Sequence, residues 1–189
     1  MRTSVKVLLA ALAALVLTAG VGFTSWTMAT SRAESAAATQ TANLEVEVGA
    51  PTIVTSQQMA DFSFSHYPMY WLGEQPDTQL ELTLTSNGSV FVRYLPQDVD
   101  AGDDGEFLTV ATYRAMNGYE GLMAADAEIA AVEQAQSGAV VVVFNDRPLS
   151  TYFSFENAAF QVEVFSPDEG RAKQLTDDGV VVLAGEELP

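Results

Sequence analysis

The feature that most constrains this chain is an uncharged run near its N-terminus, Val7–Met28 (VLLAALAALVLTAGVGFTSWTM). A helix that rises ~1.5 Å per residue crosses a ~30 Å hydrocarbon core with ~20 such residues. Arg2 and Lys6 precede the run, whereas the first acidic residue is Glu34. By the positive-inside rule, residues 1–6 stay in the cytoplasm and the C-terminal bulk is extracellular. The sequence therefore predicts a single-pass signal-anchor whose transmembrane helix, residues 7–28, binds the chain to the cell membrane.

A cleavable signal peptide is the alternative interpretation of the same run. Ala36, Ala37 and Ala38 offer small residues to a signal peptidase. The apolar region of a signal peptide usually has ~7–15 residues, and the longer run here favours a retained anchor. In both interpretations the remaining residues lie outside the cytoplasm.

Charge and composition exclude several classes of function. The chain has 25 acidic against 8 basic residues, a net charge of −17, which disfavours binding to nucleic acid. It has no cysteine, so disulfides, thiolate metal sites and cysteine nucleophiles are excluded. Its single histidine, His66, excludes metal sites built from several imidazoles. We expect no metal and no cofactor.

Beyond the anchor, residues 29–50 are rich in Ala, Ser and Thr and predict a flexible stalk, with a short strand at Leu44–Val48. Residues 51–189 predict one α+β domain. The pattern of alternating or continuous apolar residues predicts strands over 79–85, 89–95, 107–113, 139–144, 150–155, 159–165 and 180–183. Asn87-Gly88 predicts a tight hairpin between the first two of these strands.

Helices are predicted at three places in this domain. Thr55 and Gln58 have the spacing of a capping box before a short helix. An apolar stripe from Tyr119 to Val132 predicts a longer helix, capped by Asn117 and closed by Gly138. The segment 166–169 (Ser-Pro-Asp-Glu) predicts a third helix start, which places Arg171 and Lys173 toward its negative end. The predicted fold is a mostly antiparallel sheet with two or three helices packed on one face.

The candidate ligand-binding residues are Tyr70, Trp71, Arg93 and Tyr94. Tyr70 and Trp71 close an aromatic-rich segment, 62–71, which fits a lid on the core or a ligand groove. Arg93 lies in mid-strand, so its guanidinium must pair with a cross-strand carboxylate such as Glu81 or with backbone carbonyls, or else hold a ligand carboxylate. No catalytic residue is predicted, because His66 is a lone imidazole and no Gly-x-Ser-x-Gly elbow occurs.

An acidic loop follows Arg93 in the sequence. It carries five carboxylates within residues 97–106: Asp98, Asp100, Asp103, Asp104 and Glu106. Carboxylates on a loop with glycines suit Ca²⁺, but the ligand spacing of an EF-hand is absent. The loop is interpreted as a solvated hairpin loop, with a calcium-stabilised module as the alternative.

Several motifs resemble a family of single-pass envelope proteins of actinobacteria to which no activity is assigned. A Pro-x-Tyr-Trp-x-Gly element precedes a hairpin that ends in Val-Arg-Tyr-Leu-Pro, and a Leu-Thr-Val strand follows. The matching residues are Pro68, Tyr70, Trp71, Gly73, Val92, Arg93, Tyr94, Leu95, Pro96, Leu108, Thr109 and Val110, then Gln161, Glu163, Pro167, Gly170, Arg171 and Ala172. The resemblance covers about two-thirds of the exported domain and departs from the family at residues 111–113 and in the acidic loop.

The resemblance implies an anchored domain at the cell surface and no particular chemistry. We therefore expect a non-catalytic binding or accessory module of the cell envelope, whose partner is an envelope protein or a wall ligand. The alternative from another class is a carboxylate-dependent hydrolase of wall sugars or peptides, since the chain has many acidic residues.

Overall fold

The computed structural model describes residues 46–65 and 68–186. These residues are built around a sheet of eight antiparallel strands. In chain order the elements are β1 Thr52–Val54, α1 Ser56–Ser65, β2 Tyr70–Trp71, β3 Thr78–Leu84, β4 Val90–Pro96, β5 Thr109–Arg114, α2 Gly118–Met123, β6 Ala130–Gln134, β7 Val140–Phe144, β8 Ser150–Ser154, β9 Phe160–Phe165, α3 Arg171–Asp177 and β10 Val182–Leu183. The strand order of the main sheet is β1-β3-β4-β5-β9-β8-β7-β6, and β10 pairs with β2 in a separate two-stranded sheet. The predicted α+β class with a mostly antiparallel sheet is confirmed.

The sheet has two faces that the strand register assigns to alternate residues. Glu81, Arg93 and Glu163 lie on one face, because Glu81 pairs with Arg93 and the register continues through β5 into β9. This face is called the front face. The back face carries a row of fully buried apolar side chains, Leu82, Val92, Val110 and Val164. Transfer of such side chains out of water, worth about 1.5–3 kcal/mol each, stabilises this layer.

Covering elements lie on both faces of the sheet. On the back face, the backbone N–H of Leu72 donates to the Tyr94 hydroxyl, and the Tyr70 ring packs against Phe153 and Phe160. On the front face, α2 packs Leu122 against the cluster formed by Val140, Val142 and Tyr152. Strand β7 is buried on both sides, so a second layer must cover it on the front face. Helix α2, which lies in the long crossover from β5 to β6, supplies that layer.

The long helix predicted over residues 119–132 is wrong in its second half. Helix α2 ends at Met123, and residues 130–134 form the edge strand β6. Asn117 precedes the helix but makes no side-chain cap, whereas Glu120 lies in the first turn as predicted. Gly138 closes a hairpin between β6 and β7 rather than a helix.

The two hairpins share one loop geometry. The Asn87-Gly88 hairpin is confirmed, but its loop has three residues, and only Gly88 has a positive φ, 81°. Around Gly138 (φ 85°) the same hydrogen bonds recur, from Ala135 N to Ala139 O and from Gly138 N to Ala135 O. A left-handed third loop residue is what a three-residue hairpin needs, and glycine adopts it without steric cost.

Of the three predicted helix caps, only the one at Thr55 is present, since Asn117 makes no side-chain cap and the Ser166 motif lies outside α3. The Thr55 backbone N–H donates to Gln58 Oε1 at 2.9 Å, and the Gln58 N–H donates to Thr55 Oγ1 at 3.2 Å, so the capping box is confirmed. Ser166 Oγ instead accepts from Asp168 N within a local turn, and α3 begins at Arg171 after the left-handed Gly170. Arg171 is therefore at the N-terminus of α3, contrary to prediction.

The predicted anchor, residues 7–28, and most of the stalk lie outside the described residues. So does part of the predicted strand Leu44–Val48, of which residues 46–48 form no strand. Within the described ranges, no helix combines the length and apolar character needed to span a membrane.

Candidate functional site

Two elements cover the ends of the front face and leave its middle accessible. The acidic loop, residues 97–106, lies over the β3–β4 end, and α2 lies over β7 and β8. Between them, half-buried side chains of β4, β5 and β9 face outward, among them Phe91, Tyr113 and Glu163. Within the described part of the chain, this middle region brings a carboxylate together with several hydroxyl groups.

An ion pair between Arg93 and Glu81 holds the acidic loop on the sheet. Arg93 Nη1 lies 2.9 Å from Glu81 Oε1, and the Glu81 side chain is fully buried. Arg93 Nη2 donates to the backbone oxygens of Asp103 (2.7 Å) and Gly105 (3.0 Å), and the Gly102 N–H donates to Glu81 Oε2 (2.6 Å). The predicted Arg93–Glu81 pair is confirmed. In the structure, the Arg93 guanidinium of this pair donates hydrogen bonds to two carbonyl oxygens of the loop and so holds the loop on the sheet.

The same contacts bear on the calcium interpretation. A guanidinium already occupies two carbonyl oxygens of the loop, and Asp103 Oδ1 accepts the Gly105 N–H at 2.8 Å. Among the residues that the structure describes, no three acidic or histidine side chains are grouped as a metal site would require. The calcium-stabilised module thus gains no support from the loop geometry.

A cluster of hydroxyl groups surrounds Glu163 at the centre of the front face. Glu163 Oε1 accepts from Ser150 Oγ and from the Tyr152 hydroxyl, each at 2.7 Å, and Oε2 accepts from the Tyr113 hydroxyl at 2.6 Å. Arg147 Nη1 donates to the Tyr152 oxygen at 3.2 Å. These five side chains, from β5, β8, β9 and the turn before β8, are called the Glu163 cluster.

The electrostatics of the cluster keep its phenols protonated. Burial, reinforced by the adjacent Glu163 carboxylate, raises the pKa of Tyr113. Burial is also the main reason that the pKa of Tyr152 is raised; Glu163 acts in the same direction and Arg147 in the opposite one. A phenol that donates to a carboxylate loses that favourable bond when it ionises, which explains the direction.

A groove of about 630 Å³ opens beside the cluster, and two members of the cluster, Arg147 and Tyr152, line its wall. Its lining combines apolar side chains with carboxylates, amides and a guanidinium: Glu128, Ile129, Phe144, Asn145, Asp146, Arg147, Tyr152 and Gln161. Its volume is within the ~300–1,000 Å³ of small-molecule sites. We call it the front-face groove.

The chemistry of the cluster suits binding better than catalysis. Ser150 Oγ is paired with a carboxylate, but the Ser150 residue is only 6% exposed, so a substrate carbonyl has no access to it. Glu163 accepts three hydrogen bonds, which occupy most of the roughly four lone-pair sites of a carboxylate. A carboxylate engaged in this way has little capacity left to take a proton from a substrate.

The four candidate ligand-binding residues do not form one site. Tyr70, Trp71 and Tyr94 lie together behind the back face, where Tyr94 is 3% and Trp71 8% exposed. Burial raises the pKa of Tyr94, which fits a hydroxyl enclosed in the core. Arg93 lies on the front face in its ion pair. The Trp71 Nε1–H is buried with no hydrogen-bond partner among the described residues.

A second concavity lies at the ends of β5 and β9. It has a volume of about 400 Å³, and its walls include Pro68, Gly88, Met116 and Phe160. The segment immediately before Pro68, which includes His66, lies outside the described residues. Its walls are mostly apolar and gather no polar set comparable to that of the front-face groove.

Sequence analysis missed the residues of the Glu163 cluster as a group. A signal existed in Gln161–Phe165, where Glu163 stands between Val162 and Val164 in a strand long enough to be central. A carboxylate there needs buried donors. The donors come from β8, which a short loop joins to β9, and from β5, which three strands separate from β9 in the sequence, so no local pattern links Tyr113 to Glu163.

Comparison of the chain with known proteins found no relative. No protein-family model matches the chain, and no match was found among curated proteins or solved structures. The resemblance to actinobacterial envelope proteins therefore stays a prediction, and the site must be interpreted from its own side chains.

Proposed function

We propose that the chain is a membrane-anchored, extracytoplasmic module of the cell envelope that binds a ligand without transforming it, and that the front-face groove is its binding surface. The anchor and the extracellular location rest on the uncharged run 7–28 and the two basic residues before it. The resemblance of the hairpin motifs to envelope proteins points in the same direction.

The observation that carries the binding function is the contrast between the groove and the cluster behind it. The groove exposes polar side chains on a rigid sheet, whereas the reactive groups of the cluster, Ser150 and Glu163, are engaged with each other. A rigid, concave surface of this size with a few placed polar groups is the usual form of a ligand site. A hydrolase that used this cluster would need one of those groups free.

Binding in the cell is tested by site-specific photo-crosslinking of the full chain in intact cells. A photoreactive residue at Ile129, which is 56% exposed at the groove wall, should give a defined crosslinked product. The same residue at the exposed loop position Asp98 should not. Equal crosslinking at both positions, or none at Ile129, would contradict the proposed surface.

Reducing sugar released from wall material by the wild type but not by Glu163→Gln would favour the hydrolase.

Location is tested by protease treatment of spheroplasts. If residues 7–28 remain as an anchor, external protease should digest the domain, and the intact protein should resist carbonate extraction from membranes. Protein free in the medium with a new N-terminus near Ala38 would instead show that the run is a cleaved signal peptide.

A further inference from the structure

We infer that the front-face groove recognises an uncharged carbohydrate, an inference that rests on the proposed binding function and names its ligand class. The exposed carboxylates of Glu128 and Asp146 lie on the groove together with the Arg147 guanidinium. The carboxylates disfavour an anionic ligand, and the guanidinium offsets the charge of one of them, so the lining is nearly neutral and suits a ligand that is bound without ionic pairing.

The groove also keeps hydrogen-bonding groups open to a ligand. Among described residues, the Gln161 amide has no hydrogen-bond partner, and Asn145 uses only its Nδ2, which donates to the Glu128 carbonyl oxygen at 3.1 Å. Arg147 uses Nη1 toward Tyr152 and keeps further N–H donors. The open groups thus include both donors and acceptors on planar side chains. A hydroxyl group both donates and accepts, so a ligand with several hydroxyls satisfies this mixture.

One wall of the groove is apolar. Phe144 is half-buried, and its ring is fixed edge-on against the Tyr152 ring, with centroids 5.4 Å apart. Ile129 adds exposed apolar surface beside it. A sugar ring presents C–H groups on one face and hydroxyls at its edge, so it can place one on the apolar wall and the other on the amides.

The Glu163 cluster supplies the rigidity that such a site needs. Tyr152 donates to Glu163 and accepts from Arg147, so the guanidinium is attached to the sheet through a phenol whose own position is fixed. Pre-orientation lowers the entropy lost when a ligand orders the side chains around it. Tyr152 and Glu163 act here as positioning residues for Arg147.

The test uses the purified full chain in a zwitterionic detergent, because a maltoside headgroup would itself be a candidate ligand. The probes are matched oligosaccharides: neutral hexose and pentose oligomers, uronic-acid oligomers and chitosan oligomers, applied on an array and then by calorimetry. We expect saturable binding of at least one neutral oligomer and none of the charged sets. Gln161→Leu, which removes one free amide, should weaken this binding about threefold to tenfold.

The matched control is Gln134→Leu, the same change on the exposed edge strand β6 outside the groove, which should leave binding unchanged. Tighter binding of a charged set, or equal binding by wild type and Gln161→Leu, would overturn the inference. Absence of all oligosaccharide binding together with a specific Ile129 crosslink to a protein would leave the proposed function standing and overturn the ligand class. Absence of both would remove the proposed function as well.

Discussion

Replacement of Arg93 by alanine should lower the free energy of unfolding by about 3–5 kcal/mol, the cost of removing one partner from a buried ion pair. Glu81 is fully buried, and without Arg93 its described partners reduce to the Gly102 N–H on Oε2. The backbone oxygens of Asp103 and Gly105 lose their donor at the same time. Urea denaturation of the full chain measures the loss.

Local and global effects of this change can be separated. Since Arg93 holds the acidic loop, Arg93→Ala should also make residues 98–106 sensitive to an Asp-specific endoproteinase under native conditions. Arg93→Lys keeps the charge but lacks the fork that serves three acceptors, so its loss of stability should be smaller, about 1–3 kcal/mol.

Arg171→Ala is the matched control, because Arg171 is exposed and makes no hydrogen bond or ion pair of its side chain within the described residues. A wild-type unfolding curve for Arg93→Ala would mean that the buried carboxylate does not depend on the guanidinium. The pair would then have no structural role, and Arg93 would return as a candidate ligand residue.

The Arg93–Glu81 pair was predictable because all its determinants are local. The hairpin register follows from the alternation of β3 and β4 and from the Asn87-Gly88 loop, and a charged side chain in mid-strand needs a cross-strand partner. The attachment of the acidic loop to the same pair was not predictable. It depends on how a loop without periodicity folds back over its own strand.

Strand β6 shows where periodicity misleads. Its residues, AAVEQ, extend an apolar stripe at steps of three and four, which is typical of a helix, and alanine favours that state. The edge of the sheet offered these residues backbone partners along β7, and pairing with it prevailed over their helical preference. The Ser137-Gly138 pair between two short runs was the hairpin signal that the helical interpretation overlooked.

Only part of the Glu163 cluster was within reach of local reasoning. Tyr152 faces Glu163 across β8 and β9, which are consecutive strands, so the register of that hairpin could have paired the two residues. Tyr113 faces Gln161 across β5 and β9, and β6, β7 and β8 intervene between those two strands in the sequence. The sequence supports a sheet of this class, but the choice of neighbours for β9 decides which hydroxyls reach the carboxylate.

Replacement of Glu163 by alanine should lower the free energy of unfolding by about 2 kcal/mol or more. Three hydroxyl donors lose their acceptor, and two of them belong to the buried residues Ser150 and Tyr152. Each buried donor left without an acceptor costs about 1–3 kcal/mol. Glu156→Ala, at an exposed position whose side chain has no contact of this kind in the described part of the chain, is the control and should be neutral.

A second variant, Glu163→Gln, has a spectroscopic signature that a loss of packing alone would not produce. Glu163 is one cause of the raised pKa of Tyr113 and of Tyr152, so in Glu163→Gln both pKa values should fall toward 10.0, although burial keeps them above it. Absorbance titration of tyrosinate measures this shift. Tyr113→Phe should remove one of the two responses and identify it.

The sign of the pH dependence follows from the direction of these shifts. The folded state holds phenolic protons above pH 10.0, where unfolded tyrosine releases them, so this contribution to stability is complete below pH 10 and is lost as the pH rises above it. The free energy of unfolding of Glu163→Gln should therefore fall less steeply above pH 10 than that of the wild type. A variant with unchanged tyrosine titration and an unchanged alkaline slope would show that Glu163 does not accept from these hydroxyls, and the support for Arg147 in the groove would fail with it.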